Sequence, residues 1–119
     1  LDDTLCDELC KQFVGNRDFR SFMAAGSDIT DTVREIYDFS CKREGDTVLF
    51  TVSANGFLYN MVRIMAGTLL DCAAGKFEPS DVEKIIKNEN RDTAGFTAPP
   101  EGLYLSRVLY KNEIEYLAK

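Results

Sequence analysis

Thr47-Val48-Leu49-Phe50-Thr51-Val52-Ser53, followed by Ala54-Asn55-Gly56 and the apolar run from Phe57 to Ala74, decides the fold. Val48, Phe50 and Val52 alternate against Thr47, Thr51 and Ser53, the period of a strand with one face on a core. Upstream lies the turn Glu44-Gly45-Asp46, and before it Val33, Ile36, Phe39 and Cys41 sit in a run rich in β-formers from Thr32, though their alternation is imperfect. The two runs read as a β-hairpin. Asn55-Gly56 resembles a second hairpin turn, but no alternating strand follows it. The run from Phe57 to about Ala74 reads instead as a long helix stopped by Gly75.

Working outward, Leu5, Leu9 and Phe13 recur every fourth residue, with Leu1, Cys6 and Cys10 beside them. This is an amphipathic helix expected to close at Gly15. Asn16 to Ser27 reads as irregular, anchored by Phe19 and Phe22. Ser80-Asp81-Val82-Glu83 after Pro79 has the form of a capping box, opening a shorter helix with Val82, Ile85 and Ile86 inward. Asn88 to Gly102 reads as a loop, Leu103 to Tyr110 as a strand, and the tail from Asn112 as short and unassigned. The expected class is α+β: a mixed, largely antiparallel sheet with helices packed on one face, in a single domain over residues 1–119.

The composition agrees with one folded domain. Hydrophobic side chains make up 45% of the 119 residues, which excludes a disordered tail. The net charge of -6 argues against binding nucleic acid by bulk charge alone. The stretch from Phe57 to Ala74 contains Asn60, Arg63 and Asp71 and is short for a membrane span; no basic segment leads into an apolar one at the start. No membrane association and a cytoplasmic location are expected. The chain opens on a helical pattern without Met, as expected of a fragment.

Arg63 is the only charged side chain between Asp46 and Asp71, and it lies inside an apolar helix. An arginine does not shed its proton to escape burial, so it must reach water or meet an acceptor, best a carboxylate. Tyr59, Asn60, Ala66, Gly67 and Leu70 share its helical face. Asn60 adds a polar atom one turn back, and the small residues leave room beside the guanidinium, as in one wall of a polar pocket. The alternative is an arginine that snorkels, or that pairs inside the chain with Glu35 or Asp38. Thr97-Ala98-Pro99-Pro100-Glu101-Gly102-Leu103 is the second candidate. Two prolines stiffen it, so it either holds Leu103 at a pocket edge or simply leads into a strand.

Other chemistries lack residues. With no histidine there is no Ser-His or Cys-His system. No glycine-rich phosphate loop is present. The four cysteines, Cys6, Cys10, Cys41 and Cys72, contain no Cys-x-x-Cys pair and read as reduced thiols packed as small apolar residues rather than as zinc ligands.

Three segments together resemble the C-terminal half of the tRNA pseudouridine synthase A family: Asp18-Phe19-Arg20-Ser21-Phe22, Gly56-Phe57-Leu58-Tyr59-Asn60-Met61-Val62-Arg63 and Thr97-Ala98-Pro99-Pro100-Glu101-Gly102-Leu103-Tyr104-Leu105. The resemblance implies half of a pseudouridine synthase fold. It implies an isomerase that converts uridine to pseudouridine at tRNA positions 38–40 in the anticodon stem-loop, with no cofactor and no metal. It also implies a homodimer in the full-length protein. The family's essential aspartate sits in an Arg-Thr-Asp-x-Gly motif in the N-terminal half. That motif is absent here, since Thr30-Asp31 is flanked by Ile29 and Thr32, so the chain alone is expected to be inactive. By resemblance Arg63 pairs with that aspartate, Leu103 packs on the uracil face, and Asn60 and Tyr104 border the substrate. Arg34 and Arg91 sit near basic positions of the family and are candidate RNA contacts. Met23 stands where some members are basic, and Phe96 replaces a frequent proline. The alternative function is a non-enzymatic α+β interaction domain with an internal Arg63 salt bridge.

Overall fold

The computed structural model describes residues 3–108 and 111–118, with side chains described for residues 4–102. Helix α1 (Asp3–Cys10) buries Cys6, Leu9 and Cys10. It does not end at Gly15, as expected from the sequence. It tightens into a 3-10 turn, Lys11–Phe13, and Gly15 with φ +120° opens strand β1 (Gly15–Asp18). This strand lies in the stretch read as irregular. Its sequence, Gly-Asn-Arg-Asp, has no apolar alternation, and only backbone pairing makes it a strand. Phe19 and Phe22 are fully buried as expected, and Phe22 meets Phe13 edge-on at 5.2 Å between ring centroids.

Strand β2 (Val33–Glu44) and strand β3 (Thr47–Ala54) form the expected hairpin, closed by Gly45-Asp46 with Gly45 at φ +63°. The imperfect alternation of β2 has a cause. A bulge between Ile36 and Asp38 inserts one residue, so Tyr37 and Asp38 both face out while Ile36, Phe39 and Cys41 face in. Strand β4 (Leu103–Val108) is followed by strand β5 (Lys111–Ala118), which forms from the tail left unassigned in the sequence. The sheet order is β1-β2-β3-β5-β4, and every pairing among the described strands is antiparallel. β5 lies between β3 and β4, pairing Val52 with Ile114 on one side and Leu105 with Ile114 on the other.

Helix α2 (Met61–Ala73) is the central helix, and ten of its residues are buried. It begins at Met61 rather than Phe57, because Asn60 adopts φ 59°, ψ 14°, a left-handed geometry that no helix interior accepts. Phe57 to Asn60 forms a turn closed by Met61 N–H donating to the Leu58 carbonyl at 3.0 Å. The helix stops as expected at Gly75, φ +86°. Gly75 N–H reaches the Cys72 carbonyl and Lys76 N–H the Asp71 carbonyl, the two bonds of a Schellman motif. Helix α3 (Asp81–Asn88) buries Val82, Ile85 and Ile86. The expected capping box does not form. Ser80 is already helical in backbone and makes no side-chain cap bond, while Asp81 accepts from Glu78 N–H at 2.9 Å and Glu83 turns away to pair with Arg17.

One hydrophobic cluster joins the helices to Ile36, Phe39, Phe50 and Val52 of the sheet. β1 covers only the first part of β2, up to Ile36, and α1 serves the open remainder: Asp7 accepts from Cys41 N–H at 2.9 Å and Lys11 donates to the Phe39 carbonyl at 2.8 Å. Among the described residues no helix is long and apolar enough to cross a membrane.

Candidate functional site

The apolar run that forms α2 carries Arg63 in its first turn, half-buried. Its Nε donates to the Ala98 carbonyl at 2.7 Å and its Nη1 to Asn60 Oδ1 at 3.0 Å. Its own carbonyl accepts from Ala98 N–H at 3.0 Å, so side chain and backbone both grip one residue of the proline loop. Asn60 is held in place by its left-handed turn and spends its side-chain oxygen on the guanidinium rather than on capping the helix. Among the described residues no carboxylate lies within ion-pairing distance of Arg63, and neither Glu35 nor Asp38 is among its partners. The internal pairing considered from the sequence is thus not the one formed.

The room expected beside Gly67 is occupied. A Cβ on Gly67 would sit 1.8 Å from the Phe96 carbonyl oxygen, so the glycine admits the backbone of the 94–98 segment instead of opening a pocket. Gly95 answers it from the other side, where a Cβ would lie 2.7 Å from Thr68 Cα. Thr68 Oγ1 accepts from Gly95 N–H at 2.9 Å and donates to the Ile64 carbonyl. The segment is therefore strapped along α2 from Thr68 to Arg63. It then passes through Pro99 and a 3-10 turn, Pro100–Gly102, into β4. Arg63 and the entry to Leu103, separate candidates in the sequence, are joined by this strap. Leu103 and Tyr104 begin β4, opposite Tyr116 and Glu115 in register; their side chains lie outside the described residues.

The other candidates stand nearby. Arg34 Nη1 donates to the Asp31 and Val33 carbonyls, and its Nε lies 3.6 Å from where a Gly56 Cβ would be. Arg91 Nη2 donates to Thr97 Oγ1 at 3.2 Å, on the strap itself. Tyr59, between Gly56 and Arg63, is 57% exposed, and its carbonyl accepts from Ala24 N–H. Asp18 of the Asp-Phe-Arg-Ser-Phe segment is structural. Burial pushes its carboxyl up, but the Thr32 hydroxyl at 2.6 Å and Arg20 N–H outweigh this and hold it below the usual carboxylate range.

The four cysteines are buried thiols, and burial, with Cys6 alongside, pushes the Cys10 thiol far up, which makes it inert. Among the described residues no group of three or more cysteine, aspartate or glutamate side chains is placed to hold a metal ion.

A family model described as tRNA pseudouridine synthase matches residues 9–111. The chain belongs to the tRNA pseudouridine synthase family. It is 48% identical over 112 residues to tRNA pseudouridine synthase A of Bacillus licheniformis, covering 94% of this chain and 45% of that protein. It is 46% identical over 110 residues to the protein of the same name in Caldicellulosiruptor saccharolyticus, covering 92% and 45%. With that of Bacillus subtilis the identity is 45% over 105 residues, covering 88% and 42%. The chain thus spans a little under half the length of the curated relatives it matches.

Proposed function

We propose that this chain is the C-terminal part of a tRNA pseudouridine synthase, and that the N-terminal half of the same enzyme brings the catalytic aspartate to Arg63. The observation that carries this reading is the guanidinium itself. Nε and Nη1 are fixed by Ala98 and Asn60, and the described residues supply it with no carboxylate. A fixed, half-buried fork of this kind is suited to a carboxylate arriving from another segment.

In this reading Arg63 holds the aspartate in place and keeps it ionised. Asn60 orients Arg63. Leu103 and Tyr104, at the head of β4, border the uracil, Leu103 supplying shape against its face. The substrate is uridine at tRNA positions 38–40 in the anticodon stem-loop, turned out of its stack at a cost of about a few kcal/mol. The bond from the sugar to the base nitrogen breaks, the base turns, and a carbon–carbon bond forms. The freed nitrogen ends with a proton and the attacked ring carbon loses one, so product and substrate are isomers and no cofactor is consumed. Arg34 and Arg91 contact the RNA. The full-length enzyme is a homodimer in the cytoplasm, a reducing compartment that suits four buried thiols.

The test is direct. The full-length protein and the 119-residue chain are each incubated with a tRNA transcript, and pseudouridine is measured after carbodiimide labelling. Product from the full-length protein alone is expected. Turnover by the isolated chain would overturn the assignment of the catalytic aspartate to the other half.

A further inference from the structure

Thr68 lies in the middle of α2 and is fully buried, where a valine would pack with no hydroxyl to satisfy. The hydroxyl carries two bonds. It donates to the Ile64 carbonyl at 2.8 Å, which uses its one proton, so it meets Gly95 N–H at 2.9 Å as an acceptor. Gly95 is itself buried, and its N–H would be left unpaired without that oxygen. The residues that follow have little else to hold them. Phe96 is exposed, Thr97 is half-buried, and only the small Ala98 side chain is fully buried. Arg91 bonds Thr97, but both belong to the same loop, so that contact braces the loop on itself. Beyond Ala98, Pro99 and Pro100 have no N–H to anchor with. Among the described residues, hydrogen bonds tie this segment to α2 at two residues only, Gly95 and Ala98.

The second of these ties also sets Arg63. The guanidinium meets Asn60 through Nη1 and the Ala98 carbonyl through Nε, and Nη2 has no acceptor among the described residues. A flat group held at one atom can pivot about it; held at two, its free edge has one direction. Asn60 comes from the same turn of chain, three residues back, so the Ala98 carbonyl is the contact that depends on a distant segment. We infer that Thr68 is a positioning residue for Arg63, acting through the strap: its hydroxyl fixes Gly95, Gly95 fixes where the Ala98 carbonyl stands, and that carbonyl aims the free Nη2. The inference rests on the functional reading above, in which the free edge meets the catalytic aspartate, and adds to it a buried residue that acts only through another.

The test uses the full-length enzyme carrying isotope-labelled arginine. Pseudouridine formation is measured together with the nuclear magnetic resonance signal of the Arg63 Nε–H, identified by its loss in Arg63→Lys. Thr68→Val removes the acceptor and keeps the bulk. It is expected to lower kcat about tenfold with KM for tRNA changed less than about twofold, and to speed exchange of the Arg63 Nε–H proton with water about tenfold. Thr68→Ser, which keeps the hydroxyl, is expected to restore both. In an Arg63→Lys background Thr68→Val is expected to cost less than about twofold more, since the group it acts through is gone. Gly75→Ala, which lowers stability at the far end of α2, is expected to change neither kcat nor the exchange. Parental kcat and exchange in a Thr68→Val enzyme that forms pseudouridine would overturn the inference and leave the functional reading intact. A further loss of about tenfold on top of Arg63→Lys would also overturn it, as would a matching loss in Gly75→Ala, because either marks a general loosening. If the parent forms no pseudouridine, the functional reading falls, and the exchange of Nε–H in Thr68→Val still decides whether Thr68 holds Arg63. If Thr68→Val does not fold, Thr68→Ala, whose shorter side chain leaves room for a water at Gly95 N–H, takes its place in both measurements.

Discussion

The two ends of α2 solve the same problem in opposite ways. At the C-terminal end everything closes inside the chain: Gly75 completes a Schellman motif, and Lys76 pairs with the mostly buried Asp71. At the N-terminal end the capping position is occupied by Asn60, which gives its side chain to Arg63 instead of to the helix backbone. The strap then runs back along the helix from Thr68 past Gly67 to this end, where Ala98 is held by Arg63. One end is finished for stability. The other carries a charge fixed by Ala98 and Asn60, with side-chain capping of the helix forgone, a departure from local rules that the proposed function would account for.

The contrast breaks most sharply at Gly67. Gly67→Ala places a methyl 1.8 Å from the Phe96 oxygen, where backbone and not a pliable side chain must move. A loss of about 3 kcal/mol in urea unfolding is expected, with the strap displaced. A loss below about 1 kcal/mol would mean that the strap is not held as described. Next comes Arg63→Lys in the full-length enzyme. Lysine lacks the fork, so pseudouridine formation is expected to fall about a hundredfold, near 2.7 kcal/mol in activation free energy, while the unfolding midpoint barely changes. Near-normal turnover would reduce Arg63 to a structural bolt for Ala98. At the other end Gly75→Ala is expected to cost about 1 kcal/mol of stability through its left-handed geometry and to leave turnover untouched.

The smallest effect tests the distant Asp18. Its carboxyl lies below its usual 3.8 in the folded chain, so its contribution is present above that pH and lost as pH falls through the folded value. The gap in unfolding midpoint between the parent and Asp18→Asn should be widest near neutrality and narrow below about pH 4. A gap constant across that range would show that the charge on Asp18 does not matter.

Much of this was legible in the residues. Val48, Phe50 and Val52 marked β3, and a single charge in a greasy run marked Arg63. The failures have physical reasons. β1 carries no apolar residue, so no side-chain period could reveal it; only the carbonyls and amides of β2 do. β5 does alternate, with Ile114 and Tyr116 set against Glu113 and Glu115, but its main partner begins more than fifty residues upstream, beyond the reach of a local pattern. The helix start was hidden because Phe57 and Leu58 continue the apolar run unbroken, and only the backbone of Asn60 interrupts it. The acceptor of Arg63 was hidden too, since a main-chain carbonyl at Ala98 leaves no mark on residue identity.

The place of β5 has a consequence for how the molecule is made. Among the described strands β4 touches only β5, yet the ribosome delivers β4 first. The strand that begins with Leu103 therefore emerges without a neighbour and docks only when the later segment slides in against β3. The head of β4 is assembled last, after the rest of the sheet already has its shape.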